Sequence, residues 1–310
     1  MRMLTLDLRI GPGRSPLSAH LGGALHGFVE GGVKNHAPHL LPVLRPQGPH
    51  QFAEMMIQPP PFGEAEGDHL RFGVILYGTS AAAWPVLLRA LLEQQGNGLN
   101  SRPIAIIRAW HITPVDAPLP LVEEGRLLEG VEEPPISRHI QALADSTPAR
   151  SEGAALHHLS FRSPLLLASR KAQRERERIA HGLPWPSLGA VLDSIATRLH
   201  ALEPGLADAL NLPPNWSAPP PLRQIAPLTS VDAPARQIQW EYSATPRSVA
   251  DTEASAPVGR RTLHIPGIVG DLLYPATGIE HEHSLLYWGQ WLGVGQKTTM
   301  GCGCYVLRDQ

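Results

Sequence analysis

The sequence predicts an α+β protein of two similar halves, each with its elements in the order βαββαβ. The 310 residues suffice for two domains, since one domain usually holds about 100 to 200 residues. Apolar residues alternate with polar ones in several segments, as in strands, and recur every three or four residues in others, as in helices. Both halves end with a helix, a pair of glycines and a strand, which indicates a weak internal repeat.

The first half begins with a strand over residues 2–10, where every second residue is Leu or Ile. A helix with one apolar stripe is predicted over residues 17–30, followed by a loop over residues 31–49 that is rich in Gly, Pro and His. Residues 113–153 hold many prolines and acids, which predicts an insertion that leads into a linker. The other elements are two strands, a helix and a last strand, predicted at residues 51–58, 69–78, 80–95 and 104–110.

The second half repeats this order with a longer insert. Its first strand is predicted at residues 156–167, and a clear apolar stripe predicts a helix over residues 188–202. A proline-rich loop is predicted over residues 213–234. Strands, a short buried helix and a closing strand are then predicted at residues 237–242, 261–265, 267–275, 284–292 and 305–307. The order βαββαβ is that of the ferredoxin-like, or RRM-like, fold, so we expect tandem domains at residues 1–150 and 151–310.

Composition narrows the class of protein. Hydrophobic residues make up 43% and charged residues 17%, which is typical of a folded chain. The net charge of −2 excludes a protein that coats nucleic acid generally, so any such contact requires a local patch. Cys302 and Cys304 lie too close in sequence for a good disulfide. The polar N-terminus and the lack of a long apolar stretch predict a cytoplasmic protein without membrane contact.

Residues 293–303 read GVGQKTTMGCG, in which two Gly-hydrophobic-Gly triplets flank five residues. Glycine tolerates positive φ, and successive free N–H groups form a nest for anions. A dinucleotide-binding loop would follow a strand and open a helix, and a P-loop would end in Gly-Lys-Ser/Thr, so both are excluded. A purely structural turn remains the alternative. The candidate phosphate-binding residues are Gly293, Gly295, Lys297, Thr298, Gly301 and Gly303.

This loop resembles the C-terminal glycine-rich signature of the RAMP superfamily of CRISPR-associated RNA-binding proteins. Three more segments carry the resemblance, LRFGVILYG, LSFRSPLLL and GIVGDLLY, at residues 70–78, 159–167 and 267–274. Within the superfamily, the chain resembles the stand-alone endoribonucleases that process precursor CRISPR RNA. The resemblance implies tandem ferredoxin-like domains, RNA held in the cleft between them and by the loop, and a cut within each repeat. It implies repeat RNA and guide RNA as partners, with other CRISPR effector subunits as further candidates.

Metal-independent RNA cleavage needs a base for the 2′-hydroxyl, an acid for the 5′-oxygen and a cation for the phosphorane; it yields a cyclic phosphate. Histidine serves both proton transfers near neutral pH, so we expect no metal or cofactor. The resemblance implies a catalytic histidine on or just after the first helix, where the candidates are His26, His36 and His39. At about 100° per residue, His26 lies opposite the apolar stripe, whereas His20 lies at its flank and is predicted to pack. An ordinary solvated histidine is the alternative for His26. The residues around it on the outer face are Gly22, Gly23 and Gly27.

Two charged segments have less specific interpretations. Residues 169–178 carry Arg170, Lys171 and Arg174 without nearby acids, so these three are candidate phosphate contacts, although a solvated helix face is the usual reading. The triplet at residues 281–283, His-Glu-His, lacks the four-residue spacing of zinc-binding helices and is predicted to be a solvated helix start.

Two other functions stay open at this stage. A non-catalytic RAMP subunit would bind guide RNA inside an effector complex, and the glycine-rich loop alone does not exclude it. A metabolic enzyme could use the same fold to bind a small phosphorylated ligand, because fold does not fix function.

Overall fold

The computed structural model describes residues 1–13, 17–45, 52–64, 67–96, 99, 102–128, 136–148, 155–167, 185–229, 234–244 and 261–309. Within these ranges the chain forms two antiparallel sheets with helices packed on them, which confirms the predicted α+β class with tandem ferredoxin-like halves. No helix in the described ranges is long and apolar enough to span a membrane.

The N-terminal sheet has the order β2-β3-β1-β4-β5-β6. Its first four strands give the neighbour order of a ferredoxin-like fold, and β5 and β6 extend the edge beside β4. Even-numbered residues of β1 are buried beneath the helices, because side chains alternate between the two faces of a strand. The strands are β1 Arg2–Ile10, β2 Met55–Gln58, β3 His69–Leu76, β4 Ile104–Ile112, β5 Leu119–Glu123 and β6 Arg126–Leu127. The helices are α1 Gly22–His36, α2 Leu41–Leu44, α3 Trp84–Glu93 and α4 Ile136–Asp145.

The C-terminal sheet has the order β11-β7-β10-β8, and β9 also pairs with β10. The outer part of the β9–β10 pair extends past the region where β7 pairs with β10. The strands are β7 Leu156–Leu165, β8 Leu228–Thr229, β9 Arg236–Ala244, β10 Arg261–Pro275 and β11 Tyr305–Asp309. The helices are α5 Leu188–Leu202, α6 Pro204–Ala209, α7 Pro220–Gln224 and α8 Glu282–Leu292.

Several element boundaries differ from those predicted. Helix α1 begins at Gly22 and continues to His36, through the glycine-rich segment predicted as loop. The stretch at 261–275 is one strand, because Gly270 takes a φ of 102° and lets the chain bulge without ending the strand. The predicted linker contains β5, β6 and α4, and the predicted proline-rich loop contains α7 and β8. Strand β2 begins at Met55.

The two halves share a core. One apolar cluster lies within the N-terminal half, between β1, β3, α1 and α3. The larger cluster surrounds α5 and α8 in the C-terminal half but includes Met56 and Ile75 from the N-terminal sheet and Tyr77, which directly follows β3. Helix α4 also packs there, since Leu143 is fully buried in that cluster and Thr147 accepts a hydrogen bond from Trp288 Nε1 at 2.9 Å. The boundary at residue 150 stays a prediction, and this packing favours an earlier one.

Candidate functional site

The glycine-rich loop joins the end of α8 to β11 and has a fixed, unusual backbone. Four of its glycines have positive φ, between 68° and 84°, and Lys297 has a φ of 56°. A short 3₁₀ turn at Thr298–Met300 lies at its centre. Left-handed backbone at so many positions explains the glycine content of the segment. The four glycines are Gly293, Gly295, Gly301 and Gly303.

Three of these glycines face the protein's own backbone. A Cβ at Gly295 would collide with the carbonyl oxygen of Leu166, and one at Gly303 would collide with the carbonyl oxygen of Val294. A Cβ at Gly301 would lie 2.9 Å from the carbonyl oxygen of Ile57, on β2 of the other half. A side chain at these positions would therefore displace the loop from the two sheets that support it.

The loop exposes fewer polar side chains than its sequence suggests. Thr298 is only 4% exposed, and its side chain packs against Gly293. Thr298 is therefore poorly placed to offer its hydroxyl to a ligand. Gln296 and Lys297 are exposed. The Lys297 carbonyl accepts hydrogen bonds from the N–H groups of Met300 at 2.9 Å and Cys302 at 3.3 Å, which fixes the backbone from which its side chain projects.

The N-terminal end of α1 packs directly on this loop. The ring of His20 lies with Nε2 at 3.1 Å from the Met300 carbonyl oxygen, and Nε2 must donate because a carbonyl only accepts. The Sγ of Cys302 is 3.9 Å from the same nitrogen. Gly22 lies against the Met300 carbonyl, where a Cβ would collide, so it forms a contact with the loop and not an open helix surface. The loop and the start of α1 thus form one unit.

His20 is buried, as the sequence predicted, with 5% exposure. Burial lowers the pKa of His20 to about 4, although its hydrogen bond to the Met300 carbonyl opposes the shift. The imidazole is therefore neutral near pH 7, and its one ring proton is held by the loop.

His26 lies on α1, and its side chain is 15% exposed. Its position opposite the apolar stripe predicted a fully outward-facing side chain; instead, neighbouring side chains cover most of the ring. Its Nδ1 lies 3.8 Å from a carboxylate oxygen of Glu30, one turn further along the helix. Burial lowers the pKa of His26, Glu30 raises it and Arg45 lowers it, with a net decrease. A neutral imidazole with a carboxylate beside it can accept a proton at neutral pH.

The sequence predicted that His36 and His39 lie in a loop, but the structure places them elsewhere. His36 is the last residue of α1, and its Nδ1 lies 3.0 Å from Glu93 of α3. His39 is exposed within a 3₁₀ turn at Pro38–Leu40. At about 1.5 Å per residue, His26 is roughly 6 Å along the axis from Gly22, whereas His36 is roughly 21 Å away. His26 is therefore much closer to the loop contact than His36 is.

Two polar side chains that the sequence analysis did not single out hold the base of the loop. The hydroxyl of Tyr77 donates to the Trp291 carbonyl at 2.7 Å, and the Nε of Arg198 donates to the Leu292 carbonyl at 2.7 Å. Both side chains are buried, and both satisfy carbonyls that the end of α8 leaves unpaired. Neither residue has a sequence signal of this role, because both contacts are long-range.

The remaining candidates fall outside this site. The predicted contacts Arg170, Lys171 and Arg174 lie outside the described residues. The triplet at 281–283 is not a solvated helix start: Glu282 is 2% exposed, and it accepts a hydrogen bond from His157 Nε2 at 2.6 Å. The hydroxyl of Thr277 also donates to Glu282. This pair joins α8 to β7.

Comparisons with known proteins agree with the resemblance seen in the sequence. Residues 159–305 match the family model of CRISPR-associated endoribonuclease Cas6, a range that contains the whole glycine-rich loop. A structure described as a Cas6 product complex matches with a TM-score of 0.57 and 18% identity over 99% of each chain. A partial Cas6-RT-Cas1–Cas2 complex matches with a TM-score of 0.53 and 18% identity, over 100% of this chain and 46% of the other. Among curated protein sequences, none matches this chain.

The likeness to solved structures concerns the fold, whereas the family match rests on the sequence of the C-terminal half. The two findings overlap in the C-terminal half, which includes the glycine-rich loop, and only the structural likeness extends over both ferredoxin-like halves. The resemblance seen in the sequence is therefore supported in two ways: the C-terminal half matches the Cas6 family model in sequence, and the full length is similar in fold to a solved Cas6 structure.

Proposed function

We propose that this chain is an endoribonuclease that cleaves the repeats of precursor CRISPR RNA without a metal ion. The 2′-hydroxyl beside the scissile phosphate would lose its proton and attack the phosphorus, the bond from phosphorus to the 5′-oxygen would break, and that oxygen would take up a proton. The upstream product would end in a 2′,3′-cyclic phosphate and the downstream product would begin with a 5′-hydroxyl. The family match makes RNA cleavage the expected activity. The metal-independent route is the part that this chain's histidines suggest.

One observation carries the proposal: the helix that bears His26 begins on the glycine-rich loop. The Met300 carbonyl of the loop contacts both His20 and Gly22, so His26 follows about one turn after the contact. A phosphate held by the loop would therefore lie near the start of α1. A base must come within hydrogen-bonding reach of the proton that it removes, and of the three candidate histidines His26 has the best position.

The roles divide between the two parts of this unit. His26, kept neutral at pH 7 by burial, would take the proton of the 2′-hydroxyl. Lys297 would bind a phosphate oxygen and offset the charge that grows on the phosphorane. The rigid backbone of Gly293, Gly295, Gly301 and Gly303 would hold Lys297 in place. Arg170, Lys171 and Arg174 would add phosphate contacts, and His36 and His39 remain alternative catalysts.

The same proposal identifies the ligands and partners. One similar structure is a product complex, and we propose that this chain also binds repeat RNA and its processed guide RNA. Another is a complex with Cas1 and Cas2, so further CRISPR subunits are candidate partners.

The test is cleavage of cognate repeat RNA in excess EDTA, followed by analysis of the product ends. We expect cleavage with a cyclic phosphate, and no cleavage when hydrogen replaces the 2′-hydroxyl at the cut site, with binding retained. A strict requirement for a divalent metal would contradict the mechanism. Binding of repeat RNA without cleavage under any condition would favour the non-catalytic RAMP subunit.

A further inference from the structure

A second surface of the N-terminal half carries a concentration of positive charge. It lies on the face of the sheet opposite α1 and α3, because the even-numbered residues of β1 are buried beneath those helices. We call it the arginine face, and define it by Arg9, Arg71, Arg108 and Trp110. Arg9, Arg71 and Arg108 are all exposed, on three adjacent strands.

Strand register brings these residues together. Asp7 of β1 is opposite Arg71 on one side and opposite Arg108 on the other. Residues directly opposite each other in an antiparallel pair point to the same face. Trp110 is opposite Thr5, two residues from Asp7 on the same strand, and Arg9 lies two residues from Asp7 the other way. All four members of the arginine face therefore project from one side of the sheet.

Arg71 and Trp110 form an ordered flat platform. The guanidinium of Arg71 lies 5.2 Å from the centroid of the Trp110 ring. Asp7 holds it in a fork, accepting from Nε at 2.6 Å and from an Nη at 3.0 Å. The Arg71 side chain remains 67% exposed, so its outer surface is open while its position is fixed. Planar guanidinium and indole groups are surfaces on which unpaired bases stack.

The charge of this surface favours an anionic ligand. The three arginines outnumber Asp7 by two charges, on a chain whose net charge is −2. At the end of β1 the surface continues into a groove of about 620 Å³ beside Arg9, lined also by Arg102 and by Asp68. At its other end the face is closed, since Ile75 packs into the core shared with the C-terminal half.

We propose that the arginine face binds single-stranded RNA, through stacking on Arg71 and Trp110 and phosphate contacts from Arg9 and Arg108. A double helix would not use the platform, because its base faces are covered by neighbouring bases. An acidic protein segment would need the arginines but not the flat platform. This inference rests on the proposed function in one respect, that RNA is the ligand. The site is a different one, since the arginine face is separate from the loop and His26.

The test measures binding of a short fluorescein-labelled oligouridine, unrelated to any repeat, by fluorescence anisotropy across a salt series. Trp110→Leu should weaken binding on the order of tenfold, whereas Trp110→Phe keeps a stacking surface and should restore most of it. The double variant Arg9→Ala, Arg108→Ala should reduce the salt slope by about 0.7 for each lost phosphate contact. Arg223→Ala, which removes an exposed arginine paired with Asp193 in the C-terminal half, is the matched control and should bind like wild type.

Each outcome decides between the two proposals. If the Trp110 and arginine variants bind oligouridine as wild type does, and wild type cleaves the repeat, RNA binding by the arginine face is rejected and the proposed function stands. Loss of oligouridine binding in these variants, with no cleavage of any repeat by wild type, would support RNA binding by the arginine face and reject the proposed nuclease activity. Polyglutamate that binds in place of oligouridine and is insensitive to Trp110→Leu would identify a protein-binding surface and reject the RNA assignment.

Discussion

His26 and His36 stand on the same helix, yet their surroundings give them different chemistry. His26 is largely covered and its pKa is lowered, whereas His36 lies at the open end of α1 beside Glu93. A general base at pH 7 must be unprotonated, so a lowered pKa keeps more of the His26 population in the reactive form. The rate of cleavage should then fall as the pH drops through the lowered pKa, below 6.5.

Replacing His26 with Ala should slow cleavage by about 10²- to 10⁴-fold, because general acid–base catalysis contributes that much. RNA affinity should change little, since the loop that we propose to bind phosphate is intact. Single-turnover rates and dissociation constants for a repeat RNA measure the two effects separately. His36→Ala is the matched control on the same helix. If His36→Ala or His39→Ala abolishes cleavage while His26→Ala does not, the catalyst is at the C-terminal end of α1 or beyond.

His20 should make stability depend on pH. Its pKa is about 4 in the folded chain and ordinarily 6.5, so the unfolded chain binds more protons between these two values. The free energy of unfolding should therefore rise with pH across this window and decrease on acidification, by roughly 3 kcal/mol at about 1.4 kcal/mol per pKa unit. His20→Gln keeps a donor for the Met300 carbonyl but does not titrate, so its pH dependence should be flatter. Urea denaturation of both proteins from pH 7 to pH 4 measures this.

His39→Gln, which changes an exposed side chain, should retain the wild-type pH profile and is the control. A profile for His20→Gln that matches wild type would mean that His20 is protonated in the fold. The sequence identified His20 as a packing residue from its place on the helix wheel. It gave no sign of the Met300 carbonyl, 280 residues away, which fixes the ring.

Variants of Lys297 in the glycine-rich loop separate two contributions: its charge, which should affect RNA binding, and its left-handed backbone, which should affect stability. Lys297→Ala removes an exposed cation and should weaken repeat RNA binding, with the salt slope reduced by about 0.7 to 0.9. Lys297→Gly removes the same charge and also relieves the left-handed backbone that a non-glycine residue adopts at roughly 1–2 kcal/mol. The two variants should therefore bind RNA equally weakly, while Lys297→Gly melts at the higher temperature. Lys297→Arg should preserve both properties, and unchanged RNA affinity in Lys297→Ala would show that the loop cation does not meet phosphate.

Gly301→Ala should lower the stability of the fold, and any loss of RNA binding should follow from that. Its φ of 73° and the Pro59 and Ile57 atoms around it leave no room for a Cβ. Strained backbone of this kind costs about 1–3 kcal/mol, and the collision adds to it. Thermal denaturation should show a clear loss, whereas Gly27→Ala on α1, where a Cβ meets nothing within 4 Å, should not destabilise. An unchanged melting temperature for Gly301→Ala would mean that the loop moves freely off β2.

At this scale the sequence predicted most of the elements, because hydrophobic periodicity is local. The strands β1, β3, β4 and β7 and the helices α3, α5 and α8 lie where the patterns indicated. Helix α1 was predicted to end too early because two glycines and several polar residues break its pattern after residue 30, while contacts with α3 stabilise the last turns. Glu282 was predicted to be solvated because its partner, His157, lies on a strand 125 residues away.

The whole molecule is held together by a core that both halves build. Met56, Ile75 and Tyr77 of the N-terminal half are buried among side chains of α5 and α8. The hydroxyl of Tyr77 and the guanidinium of Arg198 then meet at the end of α8, one from each half. Because the loop begins at that point, its position depends on the contact between the halves. The internal repeat in the sequence indicated two similar units but not that they are inseparable.

A shared core predicts that the chain unfolds in one cooperative transition. Ile106 lies in the core of the N-terminal half alone, and Ile195 lies in the shared core on α5. Replacing either with Val removes one buried methylene-sized group and should cost about 0.5–1.5 kcal/mol. In scanning calorimetry both variants should shift the same single transition, with the calorimetric and van't Hoff enthalpies equal. Two transitions, of which Ile106→Val shifts only one, would mean that the halves unfold independently. Unfolding of the N-terminal half alone would then remove the support that Tyr77 gives to the loop.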